Sequence, residues 1–123
     1  MLNNQDLMAR GLAKLNEIDG EQGDKVMQAL ADISPDLGKY IIGFAFGEIY
    51  QRPQLDVRQR ELVTLAAQGG CENQLRVHIH ASLNVGLTRD EIVEAFIQCI
   101  PYLGFPKVLN AVFVAKEVLA AAE

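Results

Sequence analysis

The chain has 123 residues, half of them apolar and 22% charged, which fits a single folded domain rather than a disordered segment. A net charge of −5 leaves no basic excess to neutralise phosphates, which argues against nucleic acids and anionic membranes as partners. The N-terminus lacks the pattern of a signal peptide and no apolar run is long enough to span a membrane, so we expect a cytoplasmic protein.

Turn and capping signals predict helices throughout the chain, with almost none of the alternation that is typical of strands. Ser34 followed by Pro35 is a strong start signal, Thr88 with Glu91 predicts a capping box, and Gly69–Gly70 predicts a helix end. The sequence therefore predicts an all-α fold, a compact bundle of about six helices. The predicted segments are Asn4–Ile18, Gln22–Ile33, Pro35–Tyr50, the stretch from an Asp56 cap to Gln68, Glu72–Val85, Arg89–Ile100 and Lys107–Ala122.

The helix predicted at Glu72–Val85 is apolar over about two thirds of its circumference at the helical period of 100° per residue. Such a helix must be covered on more than one side. Because the domain is small, part of that cover is expected from another subunit, so the sequence predicts a homo-oligomer.

Both histidines lie in this helix, but they differ in their surroundings. His80 lies in its polar arc and is expected at the surface. His78 shares a stripe with Cys71, Gln74 and Ser82, which places a thiol, an amide, an imidazole and a hydroxyl on one face. Two interpretations stay open: an acid/base histidine, or a core histidine hydrogen-bonded to Ser82 or a backbone carbonyl.

Glu48 is a second unusual position, because helical spacing from Leu37, Ile41 and Phe44 puts it on a face expected to be buried. A buried carboxyl group holds its proton more firmly, which suits acid/base chemistry near neutral pH. The alternative is a carboxylate that reaches solvent at the helix end or pairs with an arginine.

Arginines, without lysines, are concentrated between residues 52 and 76, at Arg52, Arg58, Arg60 and Arg76. Arg58 is predicted within the apolar arc of its helix, and a partly buried guanidinium group implies a carboxylate partner. That partner is either a ligand or a protein group such as Glu48.

The two cysteines are too few for a disulfide framework, and with the histidines they lack the paired spacing of a structural zinc site. Cys99 is expected to be an inert buried thiol beside Ile92 and Phe96. Cys71 is predicted near a helix N-terminus, where free N–H groups favour the thiolate.

The segments GEIYQRPQLDVRQRELVTLAA and GGCENQLRVHIHASLNVGLTRDEIVEAFIQCIPYLGFPKVLNA closely resemble the carboxymuconolactone decarboxylase family over residues 37–119. The resemblance implies a single domain with N-terminal helices at residues 1–33 and a family core at 34–122. It also implies an alkylhydroperoxidase D-like all-helical subunit that forms oligomers, a hexamer or a trimer.

Two activities follow from the resemblance. One branch removes carbon dioxide from a lactone acid without a metal or an organic cofactor, and Glu48, Arg52, Arg58, Arg60 and His78 match its pattern. On this branch the arginines would hold substrate carboxylates, and His78, assisted by Glu48, would deliver the proton.

The other branch reduces peroxides through two cysteines and a histidine. Cys71 and His78 stand at the spacing of its first cysteine and its histidine, but Gln74 replaces the second cysteine. The usual intramolecular disulfide therefore cannot form, which leaves a single-cysteine cycle with an external thiol. A non-catalytic oligomeric binding protein is the third alternative.

Overall fold

The computed structural model describes residues 2–20, 22–68 and 71–122. It divides the chain into two compact units, the first ending at Asp56 and the second beginning at Val57. The described residues form helices and turns with no β-strand, so the prediction of an all-α fold is confirmed. The helix end predicted at Gly69–Gly70 lies outside the described residues.

In the first unit, three α-helices precede two irregular helical segments. Ser34 caps the third α-helix as predicted, since its Oγ accepts a hydrogen bond from the amide of Leu37 at 3.3 Å. The elements are α1 (Asn4–Asp19), α2 (Gln22–Leu30), α3 (Pro35–Tyr40), a π-helical segment (Ile41–Phe46) and a 3₁₀ turn (Ile49–Gln51).

The prediction of one continuous helix from Pro35 to Tyr50 is wrong beyond Tyr40, where α3 ends. The amide of Gly47 donates to the carbonyl of Ile42, five residues back, which is the hydrogen bond of a π-helix. A side chain at Gly47 would overlap the carbonyl of Leu7 in α1, so the wider turn accompanies a close approach of two backbones.

This change of period also changes which face of the segment is buried. Gly38, Ile42 and Phe46 are buried, whereas Leu37 and Phe44 are exposed. The buried face expected from α-helical spacing is therefore wrong, and Glu48, the last member of that predicted face, is exposed.

The second unit packs five α-helices around one apolar cluster. Thr88 and Glu91 form the predicted capping box, and Pro101 lies in a short helix. The helices are α4 (Val57–Ala67), α5 (Glu72–Asn84), α6 (Arg89–Gln98), α7 (Ile100–Leu103) and α8 (Phe105–Ala122). The buried cluster includes Leu65, Leu75, Ile79, Ile92, Phe96, Cys99, Val108, Val114 and Val118.

Both cysteines are free thiols, and the predicted burial of Cys99 beside Ile92 and Phe96 is confirmed. Among the described residues, no helix combines the length and the apolarity that crossing a membrane requires. The cytoplasmic location and the single-domain organisation expected from the sequence stay predictions.

Candidate active site

A buried carboxylate contacts the imidazole of His78 in the second unit. Nδ1 of His78 lies 2.8 Å from Oε2 of Glu61, and the side chain of Glu61 is fully buried. The side chain of His78 keeps 17% of its surface exposed. The pair therefore joins an inaccessible carboxylate to a ring that solvent or a small ligand can still reach.

Two neighbouring helices hold this pair in place. Glu61 lies one helical turn before Leu65 on the buried side of α4, and His78 lies on α5 between the buried Leu75 and Ile79. The apolar cluster of the second unit contains all three of these hydrophobic residues, so its packing sets the distance between the carboxylate and the ring.

Ser82 fixes the backbone of α5 at the same position. Its Oγ donates a hydrogen bond of 2.6 Å to the carbonyl of His78, and its side chain is fully buried. The interpretation of His78 as a core residue held by Ser82 is therefore correct only for the backbone, because the ring contacts Glu61 instead.

This geometry favours one arrangement of the imidazole protons. A carboxylate beside Nδ1 accepts its N–H, which orients the ring and leaves Nε2 as the atom for proton exchange. The same carboxylate stabilises an imidazolium ion that forms during a proton transfer. The pair can therefore donate or accept a proton at Nε2.

Glu61 is a candidate site residue that the sequence-based prediction did not include. Its i, i+4 relation to Leu65 was a usable signal, because it places a carboxylate on the face of α4 that carries core residues.

The other polar members of the His78 stripe are more accessible. Cys71 and Gln74 are exposed, and Cys71 occupies the N-cap position of α5 without a side-chain hydrogen bond to the helix. The predicted surface position of His80 is confirmed. The stripe thus runs from an exposed thiol, past a partly buried imidazole, to a buried hydroxyl.

Arg58 has a carboxylate partner from the protein, which is one of the two predicted alternatives, and the partner is Glu91 rather than Glu48. Its Nη2 lies 3.0 Å and 3.2 Å from the two carboxylate oxygens of Glu91, and both side chains are partly exposed. Arg58 shares its side of α4 with Leu62 and Leu65, as helical spacing predicted, and its guanidinium group reaches over to the capping box of α6. Arg60, also on α4, is half-buried.

Glu48 and Arg52 lie together in the first unit, on either side of the 3₁₀ turn. Both line a cavity of about 440 Å³ that Arg10 of α1 also lines. The structure therefore places Glu48 and Arg52 at one cavity, and His78 in direct contact with Glu61.

No group of three His, Cys, Asp or Glu side chains among residues 2–20, 22–68 and 71–122 has the arrangement of a metal site. The fold and the pair instead define a class: an all-helical protein with a candidate acid/base histidine.

Within that class, the chain belongs to the carboxymuconolactone decarboxylase family, whose sequence model matches residues 35–117. It is similar to a 4-carboxymuconolactone decarboxylase of Acinetobacter baylyi, with 35% identity over 95% of this chain and 90% of that protein.

Two further relatives are less completely matched. A nitrosuccinic acid decarboxylase of Metarhizium robertsii is 35% identical over 64% of this chain and 57% of that protein. An uncharacterised 15.0 kDa protein of Paracoccus denitrificans is 32% identical over 76% of this chain and 73% of that protein.

Proposed function

We propose that the chain decarboxylates a small carboxylic acid without a cofactor, with His78 as the general acid. The contact of 2.8 Å between Nδ1 of His78 and the buried carboxylate of Glu61 carries this proposal. It supplies an oriented proton donor where the family membership implies decarboxylase-like chemistry.

Decarboxylation requires a place for the electron pair of the broken bond and a proton for the carbon that loses the carboxylate. As the bond to the carboxylate breaks, carbon dioxide leaves and the electron pair remains on the substrate carbon. That pair must move into an electron-withdrawing group, and a proton must then replace the lost carboxylate. In this proposal Nε2 of His78 delivers the proton. The carboxylate of Glu61 accepts the hydrogen bond from Nδ1 and thereby fixes the orientation of the ring.

The names of two relatives agree with such a substrate. Nitrosuccinic acid carries a nitro group and carboxymuconolactone carries a lactone carbonyl, and each can accept the electron pair. We therefore propose a substrate in which an electron-withdrawing group can accept the electron pair that the carboxylate leaves behind. This group is either attached to the carbon that loses the carboxylate or conjugated with that carbon after the loss.

Substrate carboxylates need cationic or hydrogen-bonding partners. Arg60 and Gln74 are the proposed contacts in the second unit, because they lie on the two helices that carry Glu61 and His78. The predicted roles of Glu48 and Arg52 in the reaction stay predictions.

The test compares His78→Gln with His80→Gln, a matched control two residues away on the exposed side of α5. Both carboxymuconolactone and nitrosuccinic acid are supplied, and release of carbon dioxide is measured. We expect kcat with the better substrate to fall by about 100-fold or more in His78→Gln and to stay unchanged in His80→Gln.

Two results would contradict the proposal. Turnover of neither acid by the native protein would rule out the substrate class. Full activity of a folded His78→Gln would rule out the proton donor. A variant that changes only the thermal stability would support the alternative of a non-catalytic oligomeric protein.

A thiol peroxidase is the second candidate, because Cys71 is exposed at the N-cap of α5. In this cycle the thiolate attacks the peroxide, an alcohol leaves, and two external thiols reduce the sulfenic acid back to the thiolate. Rapid alkylation of Cys71 at neutral pH in a Cys99→Ser background, slowed by His78→Gln, would favour it. An unreactive Cys71 would exclude it.

We also propose that the chain works as a homo-oligomer. The exposed face of α8 carries the large apolar side chains Phe105, Leu109 and Phe113 at intervals of four residues, and Tyr102 of α7 is 80% exposed. An apolar surface of this kind is typical of protein–protein contacts.

A further inference from the structure

We propose that the first unit contains a second ligand site, which binds a small hydroxy monocarboxylic acid in the cavity of about 440 Å³ lined by Arg10, Glu48 and Arg52. This proposal does not rest on decarboxylation by His78, which lies in the other unit.

Backbone contacts hold the charged residues of the cavity in a fixed arrangement. Nε2 of Gln51 donates to the carbonyl of Arg10 at 3.3 Å and to that of Phe46 at 3.0 Å. The 3₁₀ turn between Glu48 and Arg52 is thereby attached to α1 at the residue that supplies the third charge. Stacking of Phe46 on Tyr50, with ring centroids 4.6 Å apart, further stiffens the turn.

The remaining wall of the cavity is apolar. Leu2, Leu7 and Ile49 line it together with the charged groups. Its volume lies within the range of about 300–1,000 Å³ that is usual for small-molecule sites. A ligand with a short hydrocarbon body and a polar end fits a cavity whose lining is partly apolar and partly charged.

The charges of the cavity specify the polar end. Arg10 supplies a guanidinium group that can bind one carboxylate with paired hydrogen bonds, and Glu48 supplies the opposite charge in the same lining. Among the described residues, no ion pair engages the side chain of Arg10 or of Glu48. Both therefore remain available to a ligand.

Glu48 adds a requirement beyond charge. An ionised carboxylate only accepts hydrogen bonds, so its best partner on a ligand is a hydroxyl group. It repels a second carboxylate on the same ligand. The cavity should therefore prefer a hydroxy acid to the unsubstituted acid and to the dicarboxylic acid of equal length.

The experiment titrates the whole ¹⁵N-labelled chain with β-hydroxybutyrate, butyrate and succinate and follows amide shifts by NMR. We expect β-hydroxybutyrate to bind most tightly and to shift the amides of Leu7, Arg10 and Ile49. Arg10→Gln should weaken its binding by about tenfold, the effect of a lost charge-assisted hydrogen bond. Glu48→Gln should remove the preference over succinate.

Two control variants show whether binding is specific to this cavity. Arg89→Gln removes the same charge from an exposed position of the second unit and should leave binding unchanged. His78→Gln should also bind as the native chain does, so that failure of the decarboxylase proposal and failure of this one are distinguishable.

Three results would overturn the proposal. The first is the absence of shifts at saturating acid, and the second is equal weakening by Arg10→Gln and Arg89→Gln, which would indicate charge attraction alone. The third is a set of shifts confined to α5, which would place the acid beside His78. The dispersion of the amide spectrum shows whether each variant is folded.

Discussion

At the scale of single residues, the partner of His78 decides what the imidazole can do. An exposed histidine exchanges protons at either ring nitrogen, whereas a carboxylate 2.8 Å from Nδ1 reserves that atom and leaves Nε2 for chemistry. Glu61 is fully buried, so water does not compete for this contact. In the proposed reaction Glu61 is therefore a positioning residue, since it would act on a ligand only through the ring.

Glu61→Gln should change the protonation of the His78 ring as well as the rate. Glutamine keeps an acceptor oxygen but loses the charge, so we expect a mixture of the two neutral tautomers in place of the Nδ1–H form. The ¹⁵N shifts of the ring measure this change, and kcat should fall by about 100-fold. Glu72→Gln, an exposed carboxylate of α5, serves as the control. Unchanged ring shifts in Glu61→Gln would contradict the positioning role.

At the scale of elements, the contact of α1 with the π-helical segment organises the first unit. A Cβ atom at Gly11 would overlap the carbonyl of Ile42, and one at Gly47 would overlap the carbonyl of Leu7. Both glycines are buried. The two backbones approach so closely because neither position carries a side chain.

Gly11→Ala should therefore destabilise the protein by about 3 kcal/mol, since a buried overlap with backbone cannot be relieved by rotating a side chain. Gly43→Ala is the matched control, because the nearest atom to its added methyl group, Sδ of Met8, is at an ordinary 3.7 Å. Chemical denaturation measures both variants. Equal stability of the two would show that the close approach does not occur.

The start of α6 predicts a dependence of stability on pH. A hydrogen bond from the backbone amide of Thr88 holds the pKa of Glu91 below its usual 4.5, helped by the Thr88 hydroxyl and by Arg58. Because the pKa is lower in the folded state, the stabilisation is complete above pH 4.5 and disappears as the pH falls through the folded value.

The free energy of unfolding of the native chain should therefore exceed that of Glu91→Gln near neutral pH, and the difference should shrink below pH 4.5. Denaturation in a series of buffers measures it. Glu94→Gln, at an exposed position of the same helix, should show no such convergence. A difference that is constant with pH would contradict the assigned cause.

At the scale of the whole molecule, the exposed apolar side chains of α8 predict association between copies. Phe113→Glu should shift the native oligomer toward smaller species, because it places a charge in an apolar contact. Glu117→Gln removes a charge from an exposed position of α8 that is already polar and should leave the assembly intact. Light scattering during size-exclusion chromatography measures the mass, and a monomeric native chain would contradict the prediction.

Features that depend on neighbouring residues could be predicted without the structure. The Ser34 cap and the Thr88–Glu91 capping box join residues three positions apart, so their hydrogen bonds follow from spacing alone. The all-α fold and the family followed from such local patterns together with the quoted motifs. Helical periodicity also placed His80 at the surface and Cys99 in the core.

Contacts that join different elements emerged only from the folded chain. Glu61 meets His78 across 17 residues and Arg58 meets Glu91 across 33, and such pairs depend on how whole helices pack. The π-helical segment likewise accompanies a close approach of α1, and its change of period shifts Glu48 from an expected buried face to an exposed one. Spacing along one helix can place a residue such as Glu61 on a buried face, but it does not identify the partner, because the partner lies on another part of the chain.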